Sequence, residues 1–285
     1  MRRTIAILAG AAFAASLTPA QEPAPIRVDV RLINISFSVR DEKGNFVRDL
    51  TKDDFEVFDD GAPQKIAFFA RASDLPLNLG IVADMSGSQQ HFVKQHEHDV
   101  KTFLKETLGP RDQAFVLGFG NHLRLISDFS PSAAYLMDRF QQFSPRHKEY
   151  GDLPEIAPRE IRVSGTAFYD AIYHAIRGKL APVTAGRRAL LIFSDGEDNS
   201  SAHHMLDAIE AAQRENVVLY GIRYTEARHG ILTARNKYGT SVMSRLSLET
   251  GGNTFDAEAG DLKASFREIG DQLRSSYELA YHASQ

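Results

Sequence analysis

Two apolar runs, each closed by an aspartate, constrain this chain more than any other feature. Leu77-Asn78-Leu79-Gly80-Ile81-Val82-Ala83 leads into Asp84, and Leu190-Leu191-Ile192-Phe193-Ser194 leads into Asp195. Both read as buried strands. Met85-Ser86-Gly87-Ser88 follows the first run and a long amphipathic segment follows that. Asp84, Ser86 and Ser88 therefore occupy the turn between a strand's C-terminal end and a helix. Between the two runs, Ser164-Gly165-Thr166 opens another helical segment. In an open parallel sheet, ligands bind at the C-terminal strand ends, above all where strand order reverses. Three oxygen donors on alternate residues of one tight turn suit a hard divalent cation such as Mg²⁺. One fold can bring all three stretches to one sheet edge.

The rest of the chain from residue 76 alternates strand and helix patterns. Phe92, His96, Val100, Phe103, Leu104 and Leu108 recur at helical spacing and stop at Gly109-Pro110. Residues 113–119, 188–194 and 217–224 read as strands, separated by amphipathic segments. The pattern predicts an α/β fold with a doubly wound, mostly parallel Rossmann-like sheet and helices on both faces. Residues 144–163 and 225–240 read as long loops, the first leading straight into Thr166. Upstream, residues 26–70 carry strand alternation. Val28, Val30 and Leu32 lie on one phase, and Ile33, Ile35, Phe37 and Val39 on the other. A strand changes face only through a bulge or a break, expected near Leu32 and Ile33. Thr51-Lys52-Asp53-Asp54 reads as a capped helical turn. Residues 55–58 and 65–69 read as a hairpin joined by residues 59–64. This segment predicts a small N-terminal β module of about four strands.

Asp84, Ser86, Ser88, Thr166 and Asp195 together resemble the metal-ion-dependent adhesion site of a von Willebrand factor type A (VWFA) domain. That site reads D-x-S-x-S, then a threonine, then an aspartate, and the resemblance covers roughly residues 75–282. More narrowly, the chain is similar to the exported bacterial VWFA-related proteins. Their upstream segment resembles Val39-Arg40-Asp41-Glu42-Lys43-Gly44, Leu50-Thr51-Lys52-Asp53-Asp54-Phe55-Glu56-Val57 and Asp60-Gly61-Ala62-Pro63-Gln64-Lys65-Ile66. The resemblance implies that Ser86, Ser88 and Thr166 coordinate Mg²⁺ (or Mn²⁺ or Ca²⁺) through hydroxyls. Asp84 and Asp195 would bind the ion or hold its waters. It also implies that an Asp or Glu carboxylate from a protein partner displaces the remaining water. The function implied is an exported, metal-dependent protein-binding or adhesion module, with no catalytic residue. The domain plan is a signal peptide at 1–20, the β module and linker at 21–75, and the VWFA domain at 76–285.

Composition narrows the alternatives. A formal net charge of −4 gives no basic face, so nucleic acid is not an expected partner. With no cysteine there is no disulfide, thiolate site or cysteine nucleophile. Arg2 and Arg3 precede an apolar run from Ile5 to Ala15, and small residues follow up to Ala20. That is a signal-peptide pattern, placing the mature chain in the periplasm or medium without a membrane span. No G-x-S-x-G elbow exists. A metal-dependent hydrolase remains an alternative, and so does an envelope protein in which the ion only staples loops. His91, His96 and His98 do not share a helix face and are expected to be solvated or half-buried. His203-His204 is expected to start a helix. Asp195-Gly196-Glu197-Asp198-Asn199 has Ser200 where a calcium loop of the EF-hand type needs glycine, and is not one.

Overall fold

A computed structural model describes residues 32–120, 122–142, 165–225, 232–258 and 260–283. The expected signal peptide and the loop 144–163 lie outside the described residues, as does the first half of the two-phase strand at 26–31. The described residues all fall in the compact unit Leu32–Gln285.

The N-terminal segment forms five short strands: β1 (Leu32–Arg40), β2 (Phe46–Val47), β3 (Val57–Asp59), β4 (Ala62–Gln64) and β5 (Ile66–Arg71). Thr51 begins a single 3₁₀ turn over Lys52–Asp54, its N–H and hydroxyl both donating to Asp54 Oδ2 at 2.6 and 2.8 Å. The hairpin is tighter than the composition suggests. Asp59 pairs with Ala62, leaving only Asp60 and Gly61 in the turn, at φ of 48° and 80°. Positive φ at both central residues is the two-residue turn that matches strand twist, and Asp-Gly is the pair that tolerates it. Residues 65–69, expected to close that hairpin, instead supply β5 to a different sheet.

The main sheet has six strands: β6 (Leu77–Asp84), β7 (Gln113–Phe119), β8 (Leu123–Ser130), β9 (Arg187–Ser194), β10 (Val217–Arg223) and β11 (Thr254–Asp256). Their order is β11-β10-β9-β6-β7-β8, parallel throughout except for β8. All eight residues of β6 are buried, because helices cover both faces. On one face Val82, Leu190 and Ile192 pack with α3 (Phe168–Ala175), α4 (Met205–Arg214) and α5 (Ala234–Leu248). On the other, Ile81, Ala83, Leu191 and Phe193 pack with α1 (Val93–Thr107), α2 (Ala133–Gln142) and α6 (Leu262–Ser275). Helix α3 continues as a π turn over Ile176–Leu180. Helix α5 corrects the long-loop reading of 225–240. It begins at Ala234 and is capped by Thr233, whose hydroxyl accepts from the Asn236 N–H at 3.2 Å. Its first two turns are mostly polar, which hid it from periodicity.

The chain's last strand, β12 (Ser276–His282), joins the β module rather than the main sheet. It lies between β1 and β5 in the order β2-β1-β12-β5, antiparallel to both. The β1 register runs unbroken from Leu32 opposite His282 to Ser38 opposite Ser276. Ile66, Leu279 and Tyr281 are the buried centre of this second core. Phe55 adds an aromatic cluster, its ring 5.2 Å from Phe37 and 5.6 Å from both Phe69 and Tyr277. The Tyr277 hydroxyl donates to Val47 O at 2.8 Å and accepts from the Leu50 N–H at 3.2 Å. The Arg187 guanidinium donates to the carbonyls of Leu75 and Leu273, tying the linker and the end of α6 to β9.

Tyr277→Phe removes both partners of the Val47–Leu50 segment while keeping the ring. Urea unfolding followed by far-UV circular dichroism is expected to show a loss of about 1–3 kcal/mol. Tyr277→Ala, which also opens a cavity, is expected to lose about 3–5 kcal/mol.

Candidate metal centre

Strands β6 and β9 are hydrogen-bonded neighbours, with Ala83 opposite Phe193. From β6 the chain crosses to β7 on one side and later returns to β9 on the other, so strand order reverses at β6. Asp84 closes β6, and Asp195 follows directly on β9. Both are buried, Asp84 at 0 % exposure and Asp195 at 4 %.

Four of the five sequence-selected side chains form one connected set. Asp84 Oδ1 accepts the Ser86 N–H at 2.9 Å. The Ser86 and Ser88 hydroxyl oxygens stand 3.2 Å apart. Ser88 Oγ donates to Asp195 Oδ2 at 2.8 Å. Thr166 is tied by backbone bonds to the loop that follows Asp195, not to the four side chains themselves. Its N–H donates to Asn199 Oδ1 at 2.7 Å, and its carbonyl accepts the N–H groups of Asn199 and Ser200 at 3.1 and 3.2 Å. The next residue, Ala167, donates to Gly120 O at 2.9 Å in the turn after β7. Thr166 thus sits between the loop after β9 and the end of β7. Among the described residues, no hydrogen bond joins its hydroxyl to the other four.

Two supporting residues escaped the sequence reading. The Ser194 hydroxyl donates to Asp84 Oδ2 at 2.6 Å. Gln89, 1 % exposed, donates through Nε2 to Asp195 Oδ2 at 3.0 Å and to Tyr224 O at 3.3 Å. Each adjoins a selected residue, but nothing in its type marks it. The acidic string after Asp195 is already committed. Asp198 Oδ1 accepts the N–H groups of Phe168 and Tyr169, capping α3, and Asn199 holds Thr166. Helix α5 presses on the same loop. A Cβ on Gly239 would lie 2.2 Å from Asp195 O, and one on Gly196, at φ 78°, would lie 2.4 Å from Gly239 O. Arg235 of α5 pairs with Glu197.

His96 is a correction. It is fully buried, with its ring 4.3 Å from Tyr224 and 6.0 Å from Phe193. Burial, assisted by His91, pushes its imidazole down to about 3, so it packs as a neutral ring. His98 is exposed, as expected.

The electrostatics fit a cation. Burial, then the charge of Asp195, push the Asp84 carboxyl up to about 7, against the hydrogen bonds from Ser194 and Ser86. Among the described residues neither aspartate makes an ion pair, so two buried carboxylates face each other without a positive neighbour. Carboxylates and hydroxyls are the donor set that hard divalent ions take. A bound dication would favour the charged carboxylate and so oppose the upward shift that burial and Asp195 impose.

No family model matches the sequence, and no curated protein does. Solved structures do match. An aerotolerance-related membrane protein from Bacteroides fragilis is 14% identical at TM-score 0.52, over 69% of this chain and 98% of that one. The conserved hypothetical protein BatB from Bacteroides thetaiotaomicron is 17% identical at TM-score 0.51, over 70% and 100%. Proximal thread matrix protein 1 from the mussel byssus, with a zinc-occupied MIDAS motif, is 15% identical at TM-score 0.50. That match covers 76% of this chain and 50% of the mussel protein, about half its length. The fold is that of a von Willebrand factor type A-like α/β domain, joined to a small N-terminal β module.

The raised Asp84 carboxyl has a thermodynamic sign. Its folded value lies above the unfolded one, so the folded state binds the extra proton. The stability it contributes is present below about pH 4 and is lost as pH rises through about 7. In EDTA, urea unfolding is therefore expected to show the wild type losing more stability than Asp84→Asn between pH 4 and pH 8. The difference is expected to be on the order of a few kcal/mol.

Proposed function

We propose that this chain is an exported, metal-dependent protein-binding module. Asp84, Ser86, Ser88, Thr166 and Asp195 hold Mg²⁺, or Mn²⁺ or Ca²⁺, and an Asp or Glu carboxylate of a partner protein completes the site. The observation that carries the reading is the buried Asp84–Asp195 pair, which hydroxyls surround and which makes no ion pair among the described residues. When bound, the ion supplies an electrophilic position for a carboxylate, because neutral hydroxyls leave its charge only partly balanced. The chain's own residues shape that position. Ser194 and the Ser86 N–H orient Asp84, while Ser88 and Gln89 orient Asp195. Asn199 fixes the backbone of Thr166.

Binding is favoured over hydrolysis by the surroundings of the site. A metal hydrolase needs a base beside an activated water. Among the described residues no histidine bonds to the four connected side chains. Glu197, the nearest acid in sequence to Asp195, is paired with Arg235. Export rests on the basic-then-apolar leader of the sequence. No helix among the described residues is long and apolar enough to cross a membrane.

Mn²⁺ binding read by electron paramagnetic resonance tests the site directly. Asp84→Ala is expected to abolish it. Thr166→Ala is expected to weaken it by about tenfold or more while circular dichroism stays unchanged. Capture of an envelope or medium protein that requires Mg²⁺, fails in EDTA and is weaker for Thr166→Ala supports the adhesion reading. Capture indifferent to EDTA and to Thr166→Ala overturns it.

A further inference from the structure

A second cluster of ligand-type side chains lies on the flank of α3 and shares no residue with the Asp84–Asp195 site. Asp170 and His174 are four residues apart on α3, hence on one helix face. His203, on the segment leading to α4, brings Nδ1 to 2.7 Å from Asp170 Oδ1. One ligand atom from each of Asp170, His174 and His203 lies within 4.8 Å of the others. We propose that Asp170, His174 and His203 form a second metal site, for a Zn²⁺-class ion rather than Mg²⁺.

The donor set decides the ion. Two imidazoles and one carboxylate suit borderline ions such as Zn²⁺, whereas Mg²⁺ and Ca²⁺ prefer oxygen alone. Zinc–ligand bonds of about 2.0–2.2 Å place neighbouring donors about 3.3 Å apart in a tetrahedron. The Asp170–His203 pair opens by only a fraction of an ångström to reach that spacing. The donors are already oriented. Asp170 is 1 % exposed, and its oxygens also accept the N–H groups of Ala202 and His203 at 2.9–3.1 Å. Tyr173 stacks on the His203 ring with centroids 3.8 Å apart. The His174 ring stands nearly perpendicular to that of His203, 5.3 Å away. Held carboxylates and packed rings are the supports that metal ligands use. His203 and Tyr173 also line a cleft of about 160 Å³, from which water can fill the remaining coordination position. An ion here would clamp α3 to the segment that carries Asp198 and Asn199, the residues that cap α3 and hold Thr166.

The test is Zn²⁺ titration of the full chain by calorimetry in excess Mg²⁺, which saturates oxygen sites without competing for imidazole. One equivalent of Zn²⁺ is expected to bind to the wild type and to Asp84→Ala alike. His174→Gln and His203→Gln are each expected to weaken it at least tenfold, and His98→Gln to leave it unchanged. Nuclear magnetic resonance of the wild type gives a readout independent of any variant's folding, since Zn²⁺ is expected to shift the His174 and His203 ring signals. Absence of uptake, uptake untouched by both histidine variants, or uptake lost in Asp84→Ala overturns the proposal. Ring signals of His174 and His203 unmoved by bound Zn²⁺ do so equally.

Discussion

The placement of two carboxylates at the ends of adjacent parallel strands is the constraint on which the rest of this structure turns. In-register pairing of β6 with β9 sets Asp84 beside the Ser194–Asp195 step, under helices on both sides. Like charges at low exposure are costly without compensation. The surrounding residues answer that cost locally. Hydroxyls of Ser194 and Ser88, the Ser86 N–H and the Gln89 amide all donate toward the two carboxylates. The loop after β9 is then held from two directions. Asp198 and Asn199 lock it to the start of α3, and the Gly196–Gly239 contact locks it to α5. A loop so anchored keeps its carboxylate in place beside Asp84.

Much of this was legible in the chain itself. Apolar runs without alternation mark β6 and β9 because both their faces are covered, and residues at the ends of such runs reach the sheet edge by construction. Asp84, Ser86, Ser88 and Asp195 were readable for that reason. Gln89 and Ser194 were not, because a glutamine in a turn and a serine in a strand have no type-specific signature, and only the fold aims them at carboxylates. His96 was misjudged because helical periodicity records which face a residue occupies, not what stands opposite. Here the opposite wall is Phe193 and Tyr224, from two separate strands or their ends. Helix α5 was hidden by a polar first half, and its start is set by a local cap rather than by a hydrophobic stripe.

The β module shows the other limit. Alternation located its strands, but pairing across long separations leaves no mark in a local window. Residues 65–69 look like the return arm of a hairpin whose turn lies at Asp60-Gly61. They pair instead with the end of the chain. The module is thus held by contributions from both ends of the described sequence, with Tyr277 carrying the contact into its aromatic core.

That arrangement has a kinetic meaning. Leu32 finds its partner at His282, a contact that closes a loop spanning nearly the whole domain. The six-stranded sheet can assemble from crossovers between nearer segments, whereas β1 and β5 keep unpaired edges until β12 is available. Non-local pairings of this kind are slow, and open edges invite pairing with other chains in the meantime. The clasp that completes the molecule is therefore also the step at which it is most exposed to domain swapping.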